Sequence, residues 1–324
     1  MVVLSTAKEE GMTLTWDVFG IGTAAVDDLL LVERYPEADS KVNILESMRQ
    51  GGGQTATAMV AAARQGARAA FCCRLGLDDL SRFTLSELQK EGVETSACHQ
   101  DRQGSPYHSI IIVDTQKHTR TIFHSGGNVS PPPELINAEL ISRTRVLFVD
   151  DNSGPAGIKA ARIAASLGIP VIADVEPDPP PEVVELLPLV DHLIIGSKLA
   201  QTLSGESSEP AMAFALCGTQ RACCVVTAGE KGCWYAQRGA SAVHVPGHKV
   251  DVVDTTGCGD VFHGVYAAAL ARGDSLPDAI ALANASAALK ATRPGGRLGI
   301  PDLETARAFL HGSHTQTLEG LTHA

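Results

Sequence analysis

Residues 250–265 read VDVVDTTGCGDVFHGV: Gly257 and Gly259 bracket a cysteine, and the lone Asp260 opens the apolar, Ala-rich run VFHGVYAAALA. The run predicts a buried helix, and the glycines predict a tight loop just before it. Backbone N–H groups at such a helix start, with no side chains in the way, form a site for a phosphoryl group or a developing oxyanion. A carboxylate in the first turn is kept ionised by the positive end of the helix dipole and can accept a proton from an attacking hydroxyl. An anion hole, a base and positioning are the minimum equipment for phosphoryl transfer.

Upstream of this stretch, apolar β-rich runs alternate with Ala- and Leu-rich runs. Strands are expected at 17–22, 69–76, 146–151, 170–175, 191–196 and 222–229, and helices at 56–66, 80–92, 154–168 and 209–218; further helices follow at 264–273 and 275–296. Continuous apolar strands separated by helices imply a doubly wound α/β fold, a mostly parallel sheet flanked by helices on both faces. Residues 28–50 and 105–127 break the alternation and read as strand, turn, strand, a small antiparallel β lid beside the sheet. One domain is therefore expected over 16–312, between a disordered N-terminus (1–15) and a flexible C-terminal tail (313–324).

The composition narrows the partners. A formal net charge of −11 over 324 residues, with no cluster of Lys and Arg, argues against a nucleic-acid surface. No apolar run reaches the ~20 residues that span a bilayer, and the first fifteen residues lack the pattern of a secretory signal. The eight cysteines include no C-x-x-C and sit largely in apolar context, as expected of reduced thiols in a cytoplasmic protein. GIGTAA at 20–25 has the form of a dinucleotide fingerprint, but it runs on into VDDLLLVERYP rather than a helix, so glycines closing the first strand are the simpler reading. No Gly-Lys pair occurs, which excludes a Walker A loop.

DTTGCGDVFHG resembles the second signature of the ribokinase-like (PfkB) carbohydrate kinases, D-T-x-G-A-G-D-x-F-x-x-G, with Cys258 at the usual alanine. Other landmarks follow in order: GTAAVD (22–27), GGGQTATAMVAAARQGA (51–67), RLGLDDLSRFTLSELQKEGV (74–93), VVTAGEKGCWY (225–235) and ALKATRPGGRLGIPD (288–302). The resemblance spans about residues 17–310. GGGQTATA and TRPGGRLGIPD look most like the sulfofructose kinase branch.

The resemblance implies an ATP-dependent sugar kinase that uses Mg2+ and, in many relatives, K+. Asp260 matches the base, and Gly257, Cys258 and Gly259 the anion hole. Asp27, Gly52, Gly53, Gln54 and Thr57 match the sugar side, with Thr57 where an asparagine often stands. Lys41 is the match for a basic group facing an anionic sugar, or else a solvated lid lysine; Asn152 stands where an arginine is expected. Thr227, Gly229, Gly232, Asn284 and Arg293 match nucleotide-binding positions. Asp254 and Thr256, with carbonyls around Lys290, Arg293 and Gly295, match a monovalent-cation site. The family's N-x-x-E motif, which organises magnesium, falls on Gly196 and Leu199, which cannot ligate a metal. A nucleoside kinase and a catalytically idle sugar-binding protein are the alternatives. The exposed edges and apolar faces of the lid imply a homodimer.

Overall fold

The computed structural model describes residues 14–117 and 119–321, with side chains through residue 312. Most of the segment expected to be disordered at the N-terminus lies outside the described residues, although Thr15 N–H donates to Arg143 O at 2.9 Å. In chain order the elements are β1 (Trp16–Ile21), β2 (Ala25–Val32), β3 (Ile44–Gly52), α1 (Gln54–Arg64), β4 (Ala69–Cys72), β5 (Arg74–Leu75), α2 (Asp79–Lys90), β6 (His99–Gln100), β7 (Tyr107–Asp114), β8 (Thr119–Ser125), α3 (Ala138–Ile141), β9 (Thr144–Asp150) and α4 (Gly154–Leu167). They continue with β10 (Val171–Asp174), α5 (Val183–Leu186), β11 (His192–Gly196), α6 (Ser197–Ser204), α7 (Glu209–Cys217), β12 (Cys223–Thr227), β13 (Cys233–Gln237), β14 (Val243–Val245), α8 (Cys258–Arg272), α9 (Leu276–Lys290) and α10 (Leu303–Leu321). The last helix carries the backbone past residue 312, where the sequence pattern ends the domain. Among the described residues no helix is long and apolar enough to cross a membrane.

Eight strands form the main sheet in the order β14-β13-β12-β11-β10-β9-β1-β4, parallel from β12 to β4. The hairpin β12–β13–β14 closes one edge in antiparallel sense, a feature that the alternating pattern does not announce. Both faces are covered, as runs such as VLFVD and HLIIG require: Phe148, Ile172, Ile194 and Val225 face the layer that contains α1, α8 and α9, whereas Leu147, Val149, Ala173 and Ile195 face α4 and its neighbours. Helix α8 begins at Cys258, just ahead of the run VFHGVYAAALA, because Gly257, at φ 76°, turns the chain into it. Gly264 then lets α8 close upon α1, since a Cβ there would lie 2.0 Å from Ala58 O.

The lid is a separate four-stranded sheet, β3-β2-β7-β8. Its outer pairings are antiparallel, as expected, but the central pairing of β2 with β7 is parallel. The segment between β3 and β7 returns through α1, β4 and α2, the long crossover that a parallel neighbour needs in place of a hairpin turn. In this register Asp27 stands beside Ser109.

Candidate active site

The parallel strands end on one side of the molecule, and the polar residues gather there, as the crevice rule for open α/β sheets leads one to expect. Gly20 and Gly22 of the GIGTAA stretch serve this packing. A Cβ at Gly20 would press on Thr55 and Met59, and one at Gly22 would lie 2.2 Å from Asp150 Oδ2. That carboxylate accepts from Thr23 N (2.6 Å) and Thr55 Oγ1 (2.7 Å), binding the end of β1 to the first turn of α1. The stretch is the close junction of β1 with α1, as its run into a strand already implies.

Asp260 sits half-buried in the first turn of α8, where acidic side chains suit the helix dipole. Val261 N–H is bonded back to Gly257 O (2.9 Å) and Cys258 N–H to Thr255 O (3.2 Å), so Gly259 and Asp260 carry the N–H groups left at the helix start. Gly259 has nothing within 4 Å of where a Cβ would stand, leaving a clear approach to those N–H groups. Gly257 is fixed for a second reason: a Cβ on it would meet Gly296 O at 2.8 Å. Cys258 departs from its expected place in the anion hole, because its N–H is already bonded within the loop. Its half-buried thiol is pushed up in pKa, chiefly by burial.

The helix dipole does not keep Asp260 at an ordinary carboxylate pKa. Burial first, then the negative charge of Asp174 and Glu176, push it up to about 8, against the pull of His263 and Arg297. Asp174 and Glu176 close β10, and Asp151 follows β9; burial and mutual repulsion raise all three, Asp151 to about 6. Gln54, at the start of α1, faces Asp151 and Asp174 and draws both down, although its buried Nε2 makes no hydrogen bond of ordinary geometry. His263 is buried under this group, its Nδ1 2.9 Å from Gly259 O and 3.5 Å from Asp174 Oδ2, and its Nε2 3.0 Å from Ile194 O. It locks the anion-hole turn to β11.

Asp27 projects from the lid strand β2. Burial raises its pKa, and Ser109, Arg297 and His108 oppose that rise. Gly52 must lack a side chain, because a Cβ there would lie 2.8 Å from Asp27 Oδ2. Gly53, at φ 90°, turns the chain from β3 into α1. Arg297 is buried against the same turn: Nη2 donates to Gly52 O (2.8 Å), Nε to Thr57 Oγ1 (3.2 Å), and Nη1 fills the space a Cβ on Gly51 would need. The Thr57 hydroxyl is thus engaged by Arg297. Asn152 accepts from Tyr107 OH (3.1 Å) and donates to Asp151 Oδ1 (3.0 Å). Lys41 stands exposed on the loop between β2 and β3, with no hydrogen bond or ion pair to the Asp27 and Arg297 group.

On the nucleotide side, Thr227 ends β12, next to the turn through Gly229 and Gly232. Gly232 is fixed by crowding, since a Cβ there would lie 2.1 Å from Val245 O. Asn284 donates through Nδ2 to Pro246 O (2.7 Å), which ties α9 to the segment after β14. Arg293 is exposed on the loop after α9. Asp254 is held by Thr256 N (2.9 Å) and Gly295 N (2.8 Å), while Lys290 Nζ donates to its backbone carbonyl (2.8 Å). Gly196 caps α6 and the Leu199 side chain is buried, so neither offers a metal ligand.

Arg297, within the TRPGGRLGIPD stretch, joins the site, and Ser109, Asp174 and Glu176 extend it beyond the motif residues. The carboxylates had a legible signal, acidic residues closing the apolar strands VLFVDD and PVIADV on the side where such folds bind ligands. Ser109 depends on the β2–β7 register, which the sequence does not give.

The pfkB family carbohydrate kinase model matches residues 18–303. A ribokinase of Staphylococcus aureus (strain COL) is 28% identical over 304 residues, covering 90% of this chain and 98% of its own length. An ATP-dependent ribose-1-phosphate kinase of Halopiger xanaduensis is 27% identical over 301 residues, covering 90% and 97%. The structure of Arabidopsis thaliana ribokinase complexed with ribose and ATP shares the fold at a TM-score of 0.78, with 21% identity and coverage of 91% and 99%. The chain belongs to the pfkB family of carbohydrate kinases.

Proposed function

We propose that this chain transfers the γ-phosphoryl group of ATP to a primary hydroxyl of a ketose or related sugar, with Asp260 as the base. The observation that carries this reading is the position of Asp260 in the first turn of α8, beside the open N–H groups; burial and the neighbouring carboxylates push its pKa up to about 8. A carboxylate of that basicity takes a proton from an alcohol far more readily than an ordinary one. Asp27 and Ser109 on the lid and the Gly52–Gly53 turn provide the sugar side, and Arg297 fixes that turn. Among the described residues no three His, Cys, Asp or Glu side chains are arranged to hold a metal ion by themselves. Magnesium would therefore come with the nucleotide phosphates and keep much of its water, as that ion tolerates. The uncompensated charge of Asp151, Asp174 and Glu176 favours its presence.

The acceptor is proposed to be a neutral sugar rather than an anionic one such as sulfofructose. Carboxylates outnumber the one buried guanidinium in the pocket, and Lys41 and Asn152 supply no second cation. ADP release measured over fructose, ribose, sulfofructose and adenosine tests this. Turnover on fructose or ribose supports the reading, selective turnover on adenosine replaces it with a nucleoside kinase, and sugar binding without turnover replaces it with a sugar-binding protein.

The lid is proposed to pair with that of a second copy. Ile44, Leu45, Ile122 and Phe123 are exposed on it, the last at 52%. A monomeric mass at micromolar protein concentration would contradict the dimer.

A further inference from the structure

Lys290, the last residue of α9, is completely buried, which lysine almost never is unless paired. Its Nζ lies 2.8 Å from the carbonyl oxygen of Asp254. That carbonyl belongs to the loop leading into the anion-hole turn. The same loop is fastened to the one after α9, since Val253 and Asp254 N–H both donate to Ala291 O (2.8 and 3.1 Å) and Gly295 N–H donates to Asp254 Oδ2 (2.8 Å). The ammonium therefore stands where the two loops that frame Gly257 come together.

This is also the place where the family resemblance implies a monovalent-cation site, formed by Asp254 and Thr256 with carbonyls around Lys290, Arg293 and Gly295. The residues present do not fit one. The Asp254 carbonyl already receives the Lys290 ammonium, and the carbonyl of Lys290 accepts from Arg293 N (3.2 Å). A second positive charge placed beside the ammonium would be repelled by it. Burial draws the Lys290 pKa down, while Cys258, Asp254 and Asp260 pull it back up.

We propose that Lys290 is a tethered monovalent cation: its ammonium braces the anion-hole loop in place of a bound potassium ion, so this chain works independently of potassium. The inference rests on the phosphotransferase reading only for its activity readout. Lys290 is a positioning residue that acts through the Asp254–Gly257 loop.

The test compares melting temperature and ADP release in potassium chloride and in tetramethylammonium chloride at equal ionic strength. For the wild-type chain both are expected to be the same in the two salts. Lys290→Ala should lower the melting temperature and the rate, the latter about tenfold or more as for loss of one charged hydrogen bond, and potassium, ammonium or methylammonium should restore part of each. Lys290→Arg, which keeps the charge, should retain the wild-type indifference to potassium. A several-fold rise in wild-type rate, or a clear rise in its melting temperature, on adding potassium overturns the proposal, as does a Lys290→Ala chain indistinguishable from wild type. Should no sugar be phosphorylated, the melting comparison still decides this point, separately from the acceptor.

Discussion

Arg297 donates through Nη2 to the backbone carbonyl of Gly52 at 2.8 Å, so the loop after α9 is fastened to the glycine turn at the end of the lid strand β3. The same guanidinium is the positive charge acting on both Asp27 and Asp260. It couples Asp27 and the Gly52 turn to Asp260.

Replacing Arg297 by Met should therefore do two separable things. Gly52 O and Thr57 Oγ1 lose their buried donor, which destabilises the fold by roughly 1–3 kcal/mol in thermal or urea unfolding. The lost charge also raises the pKa of Asp260 further, so the acid limb of the kcat/KM profile moves to higher pH. Arg297→Lys should leave the limb close to its wild-type position. A purely structural role predicts the stability loss with an unmoved limb.

Asp260→Asn should lower turnover by about 10²–10⁴-fold or more, while ATP affinity measured by calorimetry changes little. In the wild-type chain kcat/KM should rise with pH through the range set by the Asp260 pKa of about 8, since only the ionised carboxylate takes the proton. An Asp260→Asn chain of near-normal rate would remove Asp260 from the mechanism.

The parts of this site that sequence reveals are those carried by short contiguous runs. DTTGCGD announces a loop, a helix start and a base within seven residues, and the strand and helix alternation shows the sheet because each element buries a face with its own period. Ser109, and the partners of Arg297, are invisible in that way. Ser109 meets Asp27 only through a parallel pairing across 82 positions of chain, and Arg297 reaches Thr57 across 240. Lys290 falls inside the helix expected over 275–296, which in fact ends at this residue, and whether its carbonyl or its side chain meets Asp254 depends on how the loops pack. Cys258 shows the converse: the motif places its N–H in the anion hole, and a single loop hydrogen bond to Thr255 O takes up that N–H.

Stability should carry the mark of Asp260 as well. A carboxyl whose pKa is higher in the folded chain than in the unfolded one favours the native state when protonated, and that contribution is lost as pH rises through the folded value. For Asp260 the window runs from the ordinary aspartate value of 3.8 to about 8. His192, lowered to about 4 by burial, acts in the opposite sense, but only up to its ordinary value of 6.5. Between about pH 6.5 and 8 the melting temperature should therefore fall as pH rises, and Asp260→Asn should flatten that fall. A slope unchanged in the variant would assign it to other groups.

Cys258→Ala should be nearly silent, with kcat/KM within about threefold of wild type. The position asks for a small residue at the start of α8, alanine keeps the same N–H bonded to Thr255 O, and the higher helix propensity of alanine adds a few tenths of a kcal/mol. Burial first, then the negative charges of Asp254 and Asp260, raise the pKa of the sulfur against the pull of Lys290 and keep it a thiol at neutral pH. Iodoacetamide at neutral pH should accordingly modify Cys258 slowly, and any loss of activity it causes should reflect the bulk of the adduct beside Gly257 and Gly259. A large drop in kcat for Cys258→Ala, with unchanged melting temperature, would instead make the thiol a participant in the chemistry.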